Sequence, residues 1–218
     1  MNGAETGYAV VDTETTGFGA ADRVIEIGVV LLDASLALEG EWDTLVNPGA
    51  RSLGPTAVHR IRPADVADAP DFAAVAGRLV GLVRGRVLVG HNVGFDARML
   101  NQEFERLGVG RPVQGQFSLD TVRLTRAEAL SPNGVYTLDQ LCAHFRIERR
   151  PAHAALADAR ATAELLARAA AAGLARLGRP ARPDALWPRQ WAAAEAACWP
   201  ELPVVAAPRR SRLAAGAA

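Results

Sequence analysis

Short apolar runs separated by turn residues dominate the first part of the chain. Residues 7–12 form one such run, compatible with a buried strand that ends at Asp12. Residues 23–33 read as a second strand and residues 38–46 as a third, closed by the turn Asn47-Pro48-Gly49. The connections are short, which predicts an antiparallel start. The period then changes. Phe72, Val75, Ala76, Leu79 and Leu82 recur at helical spacing and predict a helix over 71–83, ended by Gly85. Residues 86–91 read as a buried strand, and residues 95–107 as an amphipathic helix closed by Gly108. A short strand at 117–119 leads into a helix near Thr121. Thr137 followed by Gln140 predicts a capping box opening a helix over 137–145. An alanine-rich stretch predicts a long helix over 155–172, stopped at Gly173. Three strands, then alternating helix and strand, then helices, predict an α/β fold: a mixed sheet with helices on its faces.

A chain of 218 residues, 50% hydrophobic and 22% charged, can bury a full core without disulfides or structural zinc. Beyond Gly178 the composition shifts to proline, with Trp187, Trp191 and Trp199 among it. This places a boundary near residue 178. Residues 1–178 form the main domain, and residues 179–218 an extension with a short helix around 188–198 and a flexible, arginine- and alanine-rich tail. Cys142 and Cys198 are far apart, which excludes a disulfide scaffold and a zinc ribbon and suits a reducing, cytoplasmic setting. The opening residues lack a basic start followed by an apolar run, and the most apolar stretch, 73–90, is broken by Arg78, Arg84 and Arg86. Neither export nor membrane insertion is expected.

The 24 basic residues, all arginine, balance 24 acids. A neutral chain is not one that coats nucleic acid by bulk charge, although an enzyme gripping a few phosphates through metal ions remains open. The distribution is uneven: residues 1–50 hold nine acids and one arginine. That acidic opening points to a cation site.

Three segments carry candidate chemistry. In the first, Asp12 and Glu14 are two apart on a strand and so project to one face. Two carboxylates that close repel, unless a divalent cation with oxygen ligands lies between them. In the second, Asp96 falls in the first turn of the helix that follows the strand 86–91, and contributes if it points back toward Asp12. In the third, His153 and Asp158 are five apart, and on one helix they would diverge by roughly 140°. His153 therefore belongs on the loop after Pro151, with Asp158 on the helix. Taken alone, each segment also suits an ordinary role: a solvated turn, helix-start electrostatics, an exposed loop histidine. Together they gather four acids and a histidine where strands and loops meet the next element, the edge at which open α/β sheets bind ligands. Four carboxylates balance two divalent cations, and two metals about 3.5–4 Å apart are the usual clamp for in-line phosphodiester hydrolysis. A histidine suits the task of taking a proton from water near neutral pH.

The segments Asp12-Thr13-Glu14-Thr15-Thr16-Gly17, His91-Asn92-x-x-Phe95-Asp96 and His153-x-x-x-x-Asp158 resemble, in order and spacing, those of the DEDDh 3′→5′ exonucleases. This is the ribonuclease H-like family that contains the proofreading epsilon subunits of bacterial DNA polymerase III. Val58-His59-x-Ile61, residues 67–70 and Asp120-Thr121 resemble its connecting segments, and the likeness spans about residues 7–172. The resemblance implies a five-stranded ribonuclease H-like sheet, three antiparallel strands followed by parallel ones. It implies hydrolysis of DNA from 3′ ends to nucleoside 5′-monophosphates, in proofreading or repair, with two Mg2+ or Mn2+ ions. Asp12, Glu14 and Asp158 would hold one metal, Asp12 would bridge to a second near Asp96, and His153 would be the general base. Thr15, Thr16 and Gly17 would cradle the terminal nucleotide. His59 and Phe95 are candidates for stacking on a base, and Asn92 for a polar contact.

Two rivals remain at this stage: a relative acting on RNA ends or short oligonucleotides, and a non-catalytic nucleic-acid-binding module that keeps the fold. The intact acid set opposes the second. Single-stranded or frayed 3′ ends are the expected partner, and a DNA polymerase subunit is a further candidate partner through the tryptophan-rich extension. The favoured reading of that extension is packing back onto the main domain, with docking of a partner as the alternative. Glu26, inside an apolar strand, reads as structural and needs a partner if buried.

Overall fold

The computed structural model describes residues 7–49, 52–113, 118–127, 136–148, 154–172 and 202. Its centre is the strand Tyr8–Thr15 (β1). Residues 8–11 of β1 are buried on both faces, which is why they read as a continuous apolar run rather than an alternation. Val24–Leu32 (β2) pairs antiparallel with β1, and Leu38–Leu45 (β3) pairs antiparallel with β2. On the other side of β1 lie Val87–Gly90 (β4) and Ser118–Asp120 (β5), each parallel to its neighbour. The order β3-β2-β1-β4-β5 is the expected five-stranded mixed sheet.

Helices cover both faces. Phe72–Val83 (α3) and Val93–Arg106 (α4) bury one face on Ala9, Val11, Ile27, Val29 and Leu88. Ala155–Ala171 (α7) covers the other through Ala159, Ala163 and Leu166, packed on Tyr8, Val10, Val30 and Leu32. Thr121–Ala127 (α5) and Leu138–Phe145 (α6) complete that side, with Leu141 and Cys142 of α6 packed on Ala161 and Leu165 of α7. The capping box of α6 forms as predicted: Gln140 N–H donates to Thr137 Oγ1 and Thr137 N–H to Gln140 Oε1, both at 3.3 Å.

Two four-residue helices, Thr56–His59 (α1) and Pro63–Val66 (α2), were not foreseen. A single turn is too short to show a period, and tertiary burial of Ile61 and Val66 against Ile25 and Leu45 holds them. Helix α4 starts two residues earlier than expected, because Asn92 adopts a left-handed backbone (φ 69°) and its carbonyl accepts from Phe95 N–H. The boundary near residue 178 and the short helix at 188–198 lie outside the described residues; Leu202 packs against the core beneath α3 and α4. Among the described residues no helix is long and apolar enough to cross a membrane.

Candidate active site

On β1 the α7-facing positions are Tyr8 and Val10, then Asp12 and Glu14. The apolar pair lies under the body of α7 and the acidic pair under its start. Asp158 sits in the first turn of α7 and is 7% exposed. One carboxylate oxygen from each of Asp12, Glu14 and Asp158 lies within 4.8 Å of the other two. The sequence signal for this cluster was correct in its elements: both acids fall inside β1, which runs on to Thr15, and Asp158 is helical.

Asp96 arrives from the opposite face. It is 3% exposed in the first turn of α4, and its Oδ1 accepts from the backbone N–H of Thr13 at 2.9 Å and the Thr13 hydroxyl at 2.8 Å. Burial pushes its carboxyl up to about 7, against the lowering effect of the Thr13 bonds, with Asp120 adding a smaller repulsion. Asp12 is raised well above the usual carboxylate range, first by loss of water around it and then by Asp96, Asp158, Glu14 and Glu26 in turn. The donor set is entirely carboxylate oxygen, the chemistry that suits hard divalent cations such as Mg2+ and Mn2+, and a divalent charge would relieve the repulsion at Asp12. The cluster therefore fits a metal site.

The turn after β1 is held from within. Thr16 Oγ1 donates to Asp22 Oδ1 at 2.9 Å and accepts from Arg23 N–H at 3.0 Å, and Thr15 Oγ1 donates to the Gly17 carbonyl at 2.8 Å. A Cβ on Gly17 would come within 2.7 Å of the Asp22 carboxylate, so a side chain there would have to displace Asp22 from its bonds to the turn. From α4, Arg98 donates to the Phe18 carbonyl at 2.8 Å, and Arg106 to the carbonyls of Ala20 and Asp22 at 2.8 and 3.1 Å. The start of β2 is clamped to α4 by Arg23, whose Nε and NH2 reach the two oxygens of Glu103 at 2.8 and 2.9 Å.

The stacking role expected of His59 is not supported. The ring is 1% exposed; Nε2 meets the Leu53 carbonyl and Nδ1 accepts from Ile61 N–H, both at 3.0 Å. It locks the 53–61 loop, and a ring so enclosed offers no face to a base. His91 is likewise engaged at both nitrogens, by Thr121 Oγ1 at 2.9 Å and the Tyr136 carbonyl at 2.7 Å. Asn92 is exposed at the start of α4, its N–H donating to Asp120 Oδ1 at 3.0 Å. Phe95 is half-buried, with the Arg98 guanidinium 5.2 Å from its ring centre. His153 lies outside the described residues.

Sequence reasoning missed Phe18. It is 75% exposed, and its ring centre is 5.6 Å from that of Phe95. The available signal was an aromatic between two glycines, Gly17 and Gly19, directly after the acids. It also missed Thr13 and Asp120 as the partners that orient Asp96 and the start of α4.

A mixed sheet of this order with an acid cluster at the ends of β1 and the starts of α4 and α7 is the ribonuclease H-like nuclease arrangement. Residues 9–166 match the model of the exonuclease family RNase_T, and the chain belongs to that family. Its enzyme class is the one the resemblance implied, a 3′→5′ exonuclease. The chain is 35% identical over 175 residues to DNA polymerase III subunit epsilon of Escherichia coli (strain K12), covering 76% of this chain and 72% of that one. It is 37% identical over 167 residues to a DNA polymerase III subunit epsilon-like protein of Rhodobacter capsulatus, covering 74% of this chain but 23% of the relative. Among solved structures, the nuclease domain of 3′hExo, a DEDDh family member bound to rAMP, superposes with a TM-score of 0.68 at 16% identity, covering 80% of this chain and 96% of that one. E. coli exonuclease I in complex with single-stranded DNA superposes with a TM-score of 0.65 at 23% identity, covering 77% of this chain and 41% of that one. These last two likenesses establish the fold.

Proposed function

We propose that this protein removes nucleotides from single-stranded or frayed 3′ ends of DNA, releasing nucleoside 5′-monophosphates, in proofreading or repair in the cytoplasm. The observation that carries the reading is the convergence of Asp12, Glu14 and Asp158 oxygens within 4.8 Å, with the buried Asp96 reaching β1 through Thr13. DNA is favoured because the relatives at 35% and 37% identity are named as a DNA polymerase III epsilon subunit and an epsilon-like protein. The same names support work beside a polymerase, with residues 179–218 as the segment to dock it.

In this reading Asp12, Glu14 and Asp158 would hold one Mg2+ or Mn2+, and Asp12 with Asp96 would hold a second. Bound there, the pair would acidify the attacking water and neutralise charge on the scissile phosphate. The protein's own groups do the rest. A ring nitrogen of His153 takes a proton from the water as its oxygen bonds to phosphorus, and the bond from phosphorus to the O3′ of the preceding nucleotide breaks, that oxygen taking up a proton from solvent to become the new 3′-hydroxyl. Thr15, Thr16 and Gly17 line the terminal nucleotide. Phe18, presented outward beside Phe95, supplies a face on which a base of any identity can stack. Asn92, exposed nearby on the same helix as Phe95 and Asp96, offers a polar contact.

The test is degradation of one strand labelled at its 3′ end or its 5′ end, with Mg2+, with EDTA, and with an RNA strand of the same sequence. Immediate release of labelled mononucleotide from the 3′-labelled DNA, a ladder from the 5′-labelled DNA and silence in EDTA are expected. Faster loss of the RNA would replace DNA with RNA as the substrate. Release from the 5′ end, or full activity in EDTA, would sink the reading.

A further inference from the structure

Helix α7 begins without a cap of its own. Its N-cap residue is Ala154, which has no side-chain acceptor. The N–H of Ala155 is among the first amides of the helix, which no carbonyl within the helix can reach. The acceptor comes from the sheet: Glu26 Oε2 takes the Ala155 N–H at 3.1 Å, from 129 residues earlier in the chain. Glu26 is 3% exposed and stands on β2 directly opposite Glu14. Two residues along the same face of β2 is Gly28, opposite Asp12. A Cβ at Gly28 would lie 2.3 Å from the carbonyl carbon of Ala155 and 2.3 Å from the nitrogen of Leu156. The first turn of α7 thus rests on bare backbone at Gly28 and is tied by its amide at Glu26. Both contacts are on the strand next to Asp12 and Glu14, and Asp158 is carried on that same turn.

We propose that Glu26 is a positioning residue of the active site: a cap supplied across the fold, which with the gap at Gly28 holds the first turn of α7 so that Asp158 meets Asp12 and Glu14. The inference rests on the cation reading given above. Side chains that orient ligands in this way typically govern metal affinity without touching the metal.

Two measurements on the full chain test it, neither of which needs turnover. The first is hydrogen exchange of wild-type protein in EDTA. The Ala155 amide is expected to exchange slowly, as if inside a helix, and exchange at the rate of a free helix end would overturn the proposal without any variant. The second is Mn2+ binding, without nucleic acid, to Glu26→Ala and Glu26→Gln. Glu26→Ala is expected to bind Mn2+ on the order of 10–100-fold more weakly, while Glu26→Gln, whose amide oxygen still accepts from Ala155, stays near wild type. In activity assays the same Glu26→Ala change lowers kcat and leaves KM for a single strand unchanged. Wild-type Mn2+ affinity in Glu26→Ala would overturn the proposal. So would equal weakening in Glu26→Gln, because charge rather than the hydrogen bond would then be responsible. Wild-type protein that binds no Mn2+ would instead remove the cation reading itself, and this one with it.

Discussion

Thr13 donates both its backbone N–H and its hydroxyl to a single oxygen of Asp96, at 2.9 and 2.8 Å, across 83 residues of sequence. The strand that carries Asp12 and Glu14 thereby fixes the orientation of an acid from the opposite face of the sheet. Thr13→Val keeps the backbone bond and the shape but loses the hydroxyl bond. The Mg2+ concentration at half-maximal activity is expected to rise on the order of 10–100-fold, the usual cost of losing such a partner. A Mg2+ titration of the variant checks this, and an unchanged midpoint would refute the orienting role.

The raised carboxyls of Asp12 and Asp96 set a pH dependence of stability. Both groups hold their protons more tightly in the folded protein than in the unfolded chain, where an aspartate titrates near about 3.9. The folded state therefore binds more protons through this window. Stability without metal falls as pH rises from about 4 through about 7, where Asp96 is half deprotonated. Melting in EDTA is expected to show Tm declining over that range, with Mg2+ restoring more at high pH than at low. Asp12→Asn should flatten the decline, leave Tm in EDTA equal or higher, and abolish hydrolysis. A wild-type Tm that climbs with pH in EDTA, or wild-type turnover in the variant, contradicts the cluster's assignment.

His153→Ala is expected to slow hydrolysis on the order of 10²–10⁴-fold with Tm unchanged, the contribution normal for a general base. The pH–rate profile of the residual activity should also lose its limb near neutrality. Loss of less than about tenfold would assign the proton transfer elsewhere.

Phe18→Ala removes an outward-facing ring that is 75% exposed, so folding should not change. Stacking on one base contributes about 1–3 kcal/mol, so KM for a short single strand should rise roughly 5–150-fold while kcat holds. A Phe18→Ala protein with unaltered KM would show that the ring serves something other than substrate.

Much of the fold could be read along the chain because its signals are local. The apolar run before Asp12, the Thr137–Gln140 capping box, and Gly85 and Gly108 with φ of 72° and 76° after helices α3 and α4 each act over a few residues. Helices α1 and α2 were not legible, since four residues contain no period. His59 misled for a related reason: a histidine that closes a buried loop and one that meets a base look the same in sequence, and only its 1% exposure separates them.

The sequence by itself determined which side chains stand on one face of β1 and which acids open α4 and α7, because strand alternation and helix-start preferences are properties of neighbouring residues. Only the tertiary structure decided that these acids meet. Asp158 reaches Asp12 because Glu26 accepts the Ala155 amide and Gly28 leaves room for that turn, and Asp96 is held to β1 by Thr13. Each of those contacts joins residues about 80 or more positions apart. Such pairings exist only once packing has paid the entropy of bringing distant segments together, and no local pattern records them.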